Sequence, residues 1–213
     1  MSRFLVETCD VQQISNRMKI RDATKKNHQL LHVHPMFSRL VSEDLLASEL
    51  HTVGLTKLSV FMQVESARFE AKVWPELNFR SQVTALFTDT FDARKVYVPR
   101  LNTPLNFKST YALLGGLYVA HGSAFGANVM AKTIKKSLPD AAISYYCFQS
   151  PRQWSQLCKT LETLRECQLE QAISGANLVF NTLLEATPTS LLGHGPKTAT
   201  STSCVADPPN ISL

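Results

Sequence analysis

Arg21, Lys25 and His28 fall on one side of a helical stretch near the start of this chain. Seven residues make about two helical turns, or about 10 Å, so both cations precede the imidazole along the same face. A neutral imidazole is a common ligand for iron, usually oriented through its other ring nitrogen. Cations beside it suit the carboxylates of an anionic ligand. The same residues also fit a blander arrangement, a solvated basic face and a histidine satisfied in a core. Far along the chain, Gly122 and Gly126 lie four residues apart and so share a helix face. Each costs about 1 kcal/mol relative to Ala inside a helix. Either a ligand lying close to the backbone or a tightly packed neighbouring helix would offset that cost. Gly115 and Gly116 fit the packing explanation better.

The elements that would carry these residues read as helices. Ser15 can cap a first helix to about residue 31, with Ile20, Thr24, His28 and Leu31 on one stripe. Pro35 suits the first turn of a short second helix carrying Met36, Phe37 and Leu40. Residues 42–69 keep a period near 3.6 through Leu46, Leu50, Val53, Leu58, Phe61 and Glu65, and residues 80–91 repeat it. Pro99 and Pro104 interrupt the periodicity, which predicts a loop over 92–106. A helix over 107–138, bent at its glycines, follows, then helices over 154–164 and 166–184. No segment sustains the alternation of a strand, so the class is all-α. The expected organisation is a loose N-terminus over 1–14, one helical domain over 15–186, and a disordered tail over 187–213. That tail is rich in Pro, Ser, Thr and Gly and holds too little apolar surface to offset its chain entropy.

The segment Ile20-Arg21-Asp22-Ala23-Thr24-Lys25-Lys26-Asn27-His28 resembles the opening helix of the haem oxygenase family. There, a His four places after an Ala-Thr pair is the proximal iron ligand. Tyr118-Val119-Ala120-His121-Gly122-Ser123-Ala124-Phe125-Gly126-Ala127 resembles the family's distal helix. Further similarity around Trp154 and Gly175 to Phe180 extends the likeness over about residues 17–185. The resemblance implies a single-domain helical bundle holding haem between a proximal and a distal helix. It implies His28 as iron ligand, Arg21 and Lys25 on the propionates, and Tyr118 and Phe125 as further haem contacts. Gly122, Ser123 and Gly126 would act in catalysis, the glycines letting the backbone lie close over the ring. The implied reaction consumes O2 and reducing equivalents, with haem as both cofactor and substrate, and yields biliverdin, CO and ferrous iron. Reducing equivalents would come from a donor such as a ferredoxin, flavodoxin or flavin reductase, and biliverdin could supply a bilin-using photoreceptor. Ser123 stands where animal members carry Asp, which places the chain with the small bacterial enzymes.

Three positions depart from the family pattern. His32 stands where bacterial members usually carry Glu, one turn after the ligand; His121 replaces a Glu, and Ala127 a second glycine. His121 sits about 100° around the helix from Gly122, which aims it at a neighbouring helix rather than the iron. His34, His51 and His194 read as loop, helix-surface and tail residues. The departures motivate a rival, a haem-binding protein without turnover that serves storage, delivery or sensing. A di-iron oxidase would need an E-x-x-H motif, yet Glu65 is followed at the third place by Arg68. Neither a Cys-centred thiaminase-type nucleophile nor a metal set stands out, and a plain helical interaction module remains a further alternative.

Net charge is +5 and the cations are scattered, without stacking-aromatic or zinc-knuckle patterns, so nothing points to nucleic acid. Cys9, Cys147, Cys158, Cys167 and Cys204 are odd in number and form no C-x-x-C pair. With no basic-then-apolar leader, they read as free thiols in the cytoplasm. Residues 109–131 lack Asp, Glu, Lys and Arg over about the length of a membrane span. Their glycines, His121 and Asn128 predict a buried core helix instead.

Overall fold

The computed structural model describes residues 14–90, 104–148 and 150–186. The tail over 187–213, most of the N-terminal stretch and most of the 92–106 loop lie outside them.

Ser15 opens α1 (Asn16–Val33) by accepting the Met18 N–H, as its cap position requires. The short α2 (Pro35–Ser38) follows, with Pro35 in its first turn. His34 is its N-cap, and the ring Nδ1 accepts the Met36 N–H at 3.3 Å, so this residue closes a helix start rather than sitting in a loop. The long α3 (Ala47–Ala71) begins five residues later than its periodicity suggests. Arg39 is the reason. Its guanidinium ties Asp44 at 3.1 Å and Glu49 at 2.8 Å, and holds the preceding segment in a turn.

Beyond α3 the chain reverses through Lys72 and Trp74, both in the left-handed region at φ 53° and 40°. Glu65 and Arg68 brace this reversal from inside. Arg68 donates to Glu65 at 2.5 Å and to the Val73 carbonyl at 3.3 Å, while Glu65 accepts the Phe79 N–H at 2.9 Å. Glu65 is therefore committed to structure. A 3-10 turn over Pro75–Leu77 leads into α4 (Arg80–Thr90), which returns antiparallel along α3.

Ser109 caps α5 (Thr110–Ser137), which runs uninterrupted through all four of its glycines. The short α6 (Ser144–Cys147) and α7 (Pro151–Glu162) follow. Pro151 starts α7 three residues before Trp154 because its ring is preset for a first helical turn. The last helix is α8 (Glu166–Glu185). The described residues contain no strand, and the class is all-α.

The core forms where α5 crosses α8 and α3, with Leu114, Leu117, Phe61 and Val179 fully buried. Ala112 and Gly115 of α5 lie directly on Ala172 and Gly175 of α8, backbone against backbone. Only side chains this small allow it. Helix α1 lies along the outside of α8, clamped by Lys19 to Glu166 at 3.1 Å and by Asn27 donating to Asn177 at 2.8 Å. At the end where Lys19 meets Glu166, Asn16 donates to the Leu164 carbonyl at 2.8 Å. Among the described residues no helix is long and apolar enough to cross a membrane. Cys147, Cys158 and Cys167 are free thiols; Cys9 and Cys204 lie outside the described residues.

Candidate functional site

The stripe Ile20, Thr24, His28 on α1 runs out of the core. Ile20 and Thr24 are buried against the bundle, and Thr24 returns its hydroxyl proton to the Ile20 carbonyl at 2.8 Å. One turn on, His28 emerges into solvent above Phe180 of α8, ring centroids 6.0 Å apart and edge to face. His32 stands 4.6 Å from it, also edge to face. Although His28 is exposed, partial desolvation lowers its pKa from the ordinary value, and the neighbouring His32 lowers it further. The imidazole is therefore neutral at physiological pH, and neither ring nitrogen has a hydrogen-bond partner among the described residues. Arg21 and Lys25 are exposed on this helix, with Arg21 paired to Asp22 at 3.1 Å.

Tyr118 of α5 lies within electrostatic reach of Arg17 and Arg21 on α1. Burial raises its pKa, whereas Arg17 and Arg21 pull it back down. From Tyr118 a stripe continues along α5 through Gly122, Phe125 and Gly126. Trp154 of α7 covers the first part of it. Its indole stacks on Tyr118 with centroids 5.6 Å apart and tilts against Phe125 at 5.4 Å. A Cβ built on Gly122 would meet Trp154 at 3.6 Å, an ordinary contact. At Gly126 a Cβ would meet nothing within 4 Å, so this glycine faces open space.

Gly115 behaves differently, since a Cβ there would lie 1.8 Å from the Ala172 carbonyl oxygen. Gly116 is similarly closed in, 2.7 Å from the Phe107 ring. Both serve packing, as their surroundings in the sequence suggest.

Ser123 turns toward α6, where its hydroxyl accepts the Tyr145 O–H at 3.3 Å. His121 points away from the glycine stripe. Buried edge-on against Phe79 at 4.9 Å, its Nε2 donates to the Leu77 carbonyl at 3.2 Å, which leaves Nδ1 bare. Ala127 is buried in the core. Trp154 and Phe180 are the neighbours that residue types and spacing did not single out as site residues. Each belongs to a different helix from the motif it touches, and only the tertiary contact gives it a place here.

Burial lowers the His121 pKa below its ordinary 6.5, outweighing the Leu77 hydrogen bond that favours protonation. The unfolded chain then binds more protons than the folded one between the lowered value and 6.5, so stability falls as pH drops through that window. The largest slope one such group can contribute is about 1.4 kcal/mol per pH unit. Urea unfolding of the wild type at pH 7.5 and 5.0, set beside His121→Gln, is expected to show a weaker acid dependence in the variant. Parallel curves would remove His121 from the account.

Among the described residues no group of three or more His, Cys, Asp or Glu side chains is placed to hold a metal ion. The sequence matches no protein-family model and no curated protein. Among solved structures, it is similar to haem oxygenase-1 from the cyanobacterium Synechocystis sp. in complex with haem. The match has a TM-score of 0.65 and 13% identity and covers 81% of this chain and 90% of that one. A haem oxygenase from Leptospira interrogans is matched with a TM-score of 0.62 and 16% identity, over 80% of this chain and 97% of that one. The chain has the haem oxygenase fold. On this fold the two motifs lie on α1 and α5, both packed on α8. The haem oxygenase fold thus joins segments about ninety residues apart in sequence by docking both on one helix.

Proposed function

We propose that the chain binds haem through His28 and opens the porphyrin with O2 and reducing equivalents, releasing biliverdin, CO and ferrous iron. The observation that carries this reading is the contrast among the glycines. Gly115 and Gly175 are demanded by packing, whereas Gly122 and Gly126 are not, since a methyl group at either would be accommodated. Two glycines that each cost a helix about 1 kcal/mol, with no packing return, point to a ligand that comes close to the α5 backbone.

The residues present fit haem. His28 offers a neutral imidazole with nitrogens unpartnered among the described residues, which is what holding the iron would require. Phe180 buttresses the ring from below, and Arg21 and Lys25 are exposed on the same helix to pair with propionates. His32, one turn on, is within contact of His28 and would orient it, in the place where a carboxylate would increase its donor strength. Tyr118, Phe125 and Trp154 form a continuous aromatic wall along α5. When bound, haem supplies the iron that activates O2 and the ring that is oxidised. Electrons would be delivered by a small donor such as a ferredoxin, flavodoxin or flavin reductase.

The test is turnover. Hemin-loaded protein, reduced under O2, is expected to lose its Soret band and develop biliverdin absorbance with release of CO. A second reading, haem binding without turnover, draws on two observations. Trp154 already covers Gly122, and the Ser123 hydroxyl is engaged by Tyr145 on α6 rather than free for a water network. An intact Soret band after reduction in air would select it.

Gly126→Ala separates the roles of backbone and ligand. Because nothing meets the new methyl, the variant is expected to gain about 0.5–1 kcal/mol, or about 2 °C in Tm, while biliverdin formation falls. A gain in Tm with unchanged turnover would detach Gly126 from the chemistry.

A further inference from the structure

A cavity of ≈170 Å³ opens between α3, the end of α4 and the segment entering α6. It shares no residue with His28 or the glycine stripe. Leu50, Leu86 and Ala141 give it apolar walls; Asp89, Tyr146 and His51 bring polar groups to it. Gly54 forms part of the wall, and its missing side chain lets Thr90 of α4 close onto α3.

Two of these polar groups hold a buried oxygen without a partner among the described residues. Asp89 Oδ2 accepts the Tyr145 N–H at 2.7 Å, which fixes the carboxylate against the start of α6. Its Oδ1 is buried with no hydrogen-bond partner among the described residues, and the carboxylate has no ion-pair partner there either. Tyr146 is 2% exposed, and its phenol oxygen is likewise buried and unpartnered. Burial raises the Tyr146 pKa, with Tyr145 and Asp89 adding to the effect, so the phenol stays neutral. Lys57, buried beneath the same tyrosines, places its Nζ over the Tyr145 and Tyr146 rings at 5.4 Å from each centroid rather than on the carboxylate. The cavity therefore presents two oxygens able to accept, one of them on a carboxylate that makes no ion pair among the described residues. Leaving such a carboxylate unpaired is costly.

We propose that this cavity is a second ligand site, one that takes a small organic cation whose N–H donors are shared between Asp89 Oδ1 and the Tyr146 phenol oxygen. Ordered water could bond both oxygens, yet it would neither neutralise the carboxylate nor use the Leu50 and Leu86 walls. An ammonium or amidinium group on a flat hydrocarbon body does both. The volume suits it, since an engineered cavity of about 150 Å³ admits benzene. This site is independent of haem binding.

Titration calorimetry on the full chain, with benzylammonium as probe and benzyl alcohol as its uncharged counterpart, tests the assignment. Saturable one-to-one binding of benzylammonium is expected, with the alcohol at least about tenfold weaker, since a charge-assisted hydrogen bond is worth about a factor of ten or more. Asp89→Asn keeps an acceptor for the Tyr145 N–H and is expected to weaken the cation at least about tenfold, whereas His28→Ala leaves it unchanged. Tyr146→Phe removes one hydroxyl and is expected to weaken it several-fold, which decides the matter if Asp89→Asn does not fold. Absence of saturable binding would mean a cavity filled by water alone and would overturn the proposal. Equal affinity for the alcohol, equal affinity in Tyr146→Phe, or loss of binding in His28→Ala would overturn it as well.

Discussion

In His28→Ala, hemin affinity is expected to fall by about 100-fold, the Soret band to weaken, and millimolar imidazole to restore it. The size follows from what the side chain contributes. Groups that merely orient a metal-binding histidine are worth about 10- to 100-fold in affinity, so removal of the ligand itself reaches at least the upper end. The fold is not expected to suffer, because His28 is exposed and makes no hydrogen bond within the described residues. Rescue by imidazole distinguishes a lost ligand from a collapsed site, since exogenous imidazole can fill the space of the deleted ring only if the surrounding haem contacts persist. An undiminished Soret band would move the ligand elsewhere and leave His28 as a surface residue above Phe180.

Gly115→Ala and Gly175→Ala are expected to have the largest effects on stability. A methyl at Gly115 would stand 1.8 Å from the Ala172 carbonyl oxygen and 2.9 Å from the Ala176 nitrogen. At Gly175 it would stand 1.8 Å from the Ala112 oxygen and 2.7 Å from the Ala112 Cα. Two effects oppose each other here. Replacing glycine in a helix gains about 1 kcal/mol from backbone propensity. Against it, the colliding atoms are backbone, with no rotamer to turn away, so α5 and α8 must separate along their most extensive contact. Overpacking of this kind costs about 3 kcal/mol or more, so it wins. A fall in Tm of at least about 4 °C is expected, read by thermal or urea unfolding. A rise in stability at either position would show that α8 yields more readily than a packed helix pair does.

Helix content was legible because burial along a helix imposes its period on the residues, and α1, α4, α5 and α8 lie close to where that period places them. The start of α3 was not legible, since Ser42 and Glu43 look like a helix opening and only the reach of Arg39 to Asp44 and Glu49 holds the segment in a turn. Short elements such as α6 carry too few residues to show a period at all. The same holds for the site. His28 and the glycines are recognisable by type and spacing, whereas Trp154, Phe180 and Asp89 matter through contacts made across helices.

His28, Gly115, Gly122 and Gly126 can be placed on helix faces from the order of residues alone, because helical geometry is local and each position follows from the one before it. By helical phase Gly115, Gly122 and Gly126 are alike, lying within about 40° of one another around α5, and only its surroundings in the sequence set Gly115 toward packing. The tertiary structure supplies the atoms that separate all three. It lays the backbone of α8 on the first, the indole of Trp154 over the second and nothing over the third. The cost of a glycine is a property of its own helix, while its purpose depends on which atoms come to lie where its side chain would have been.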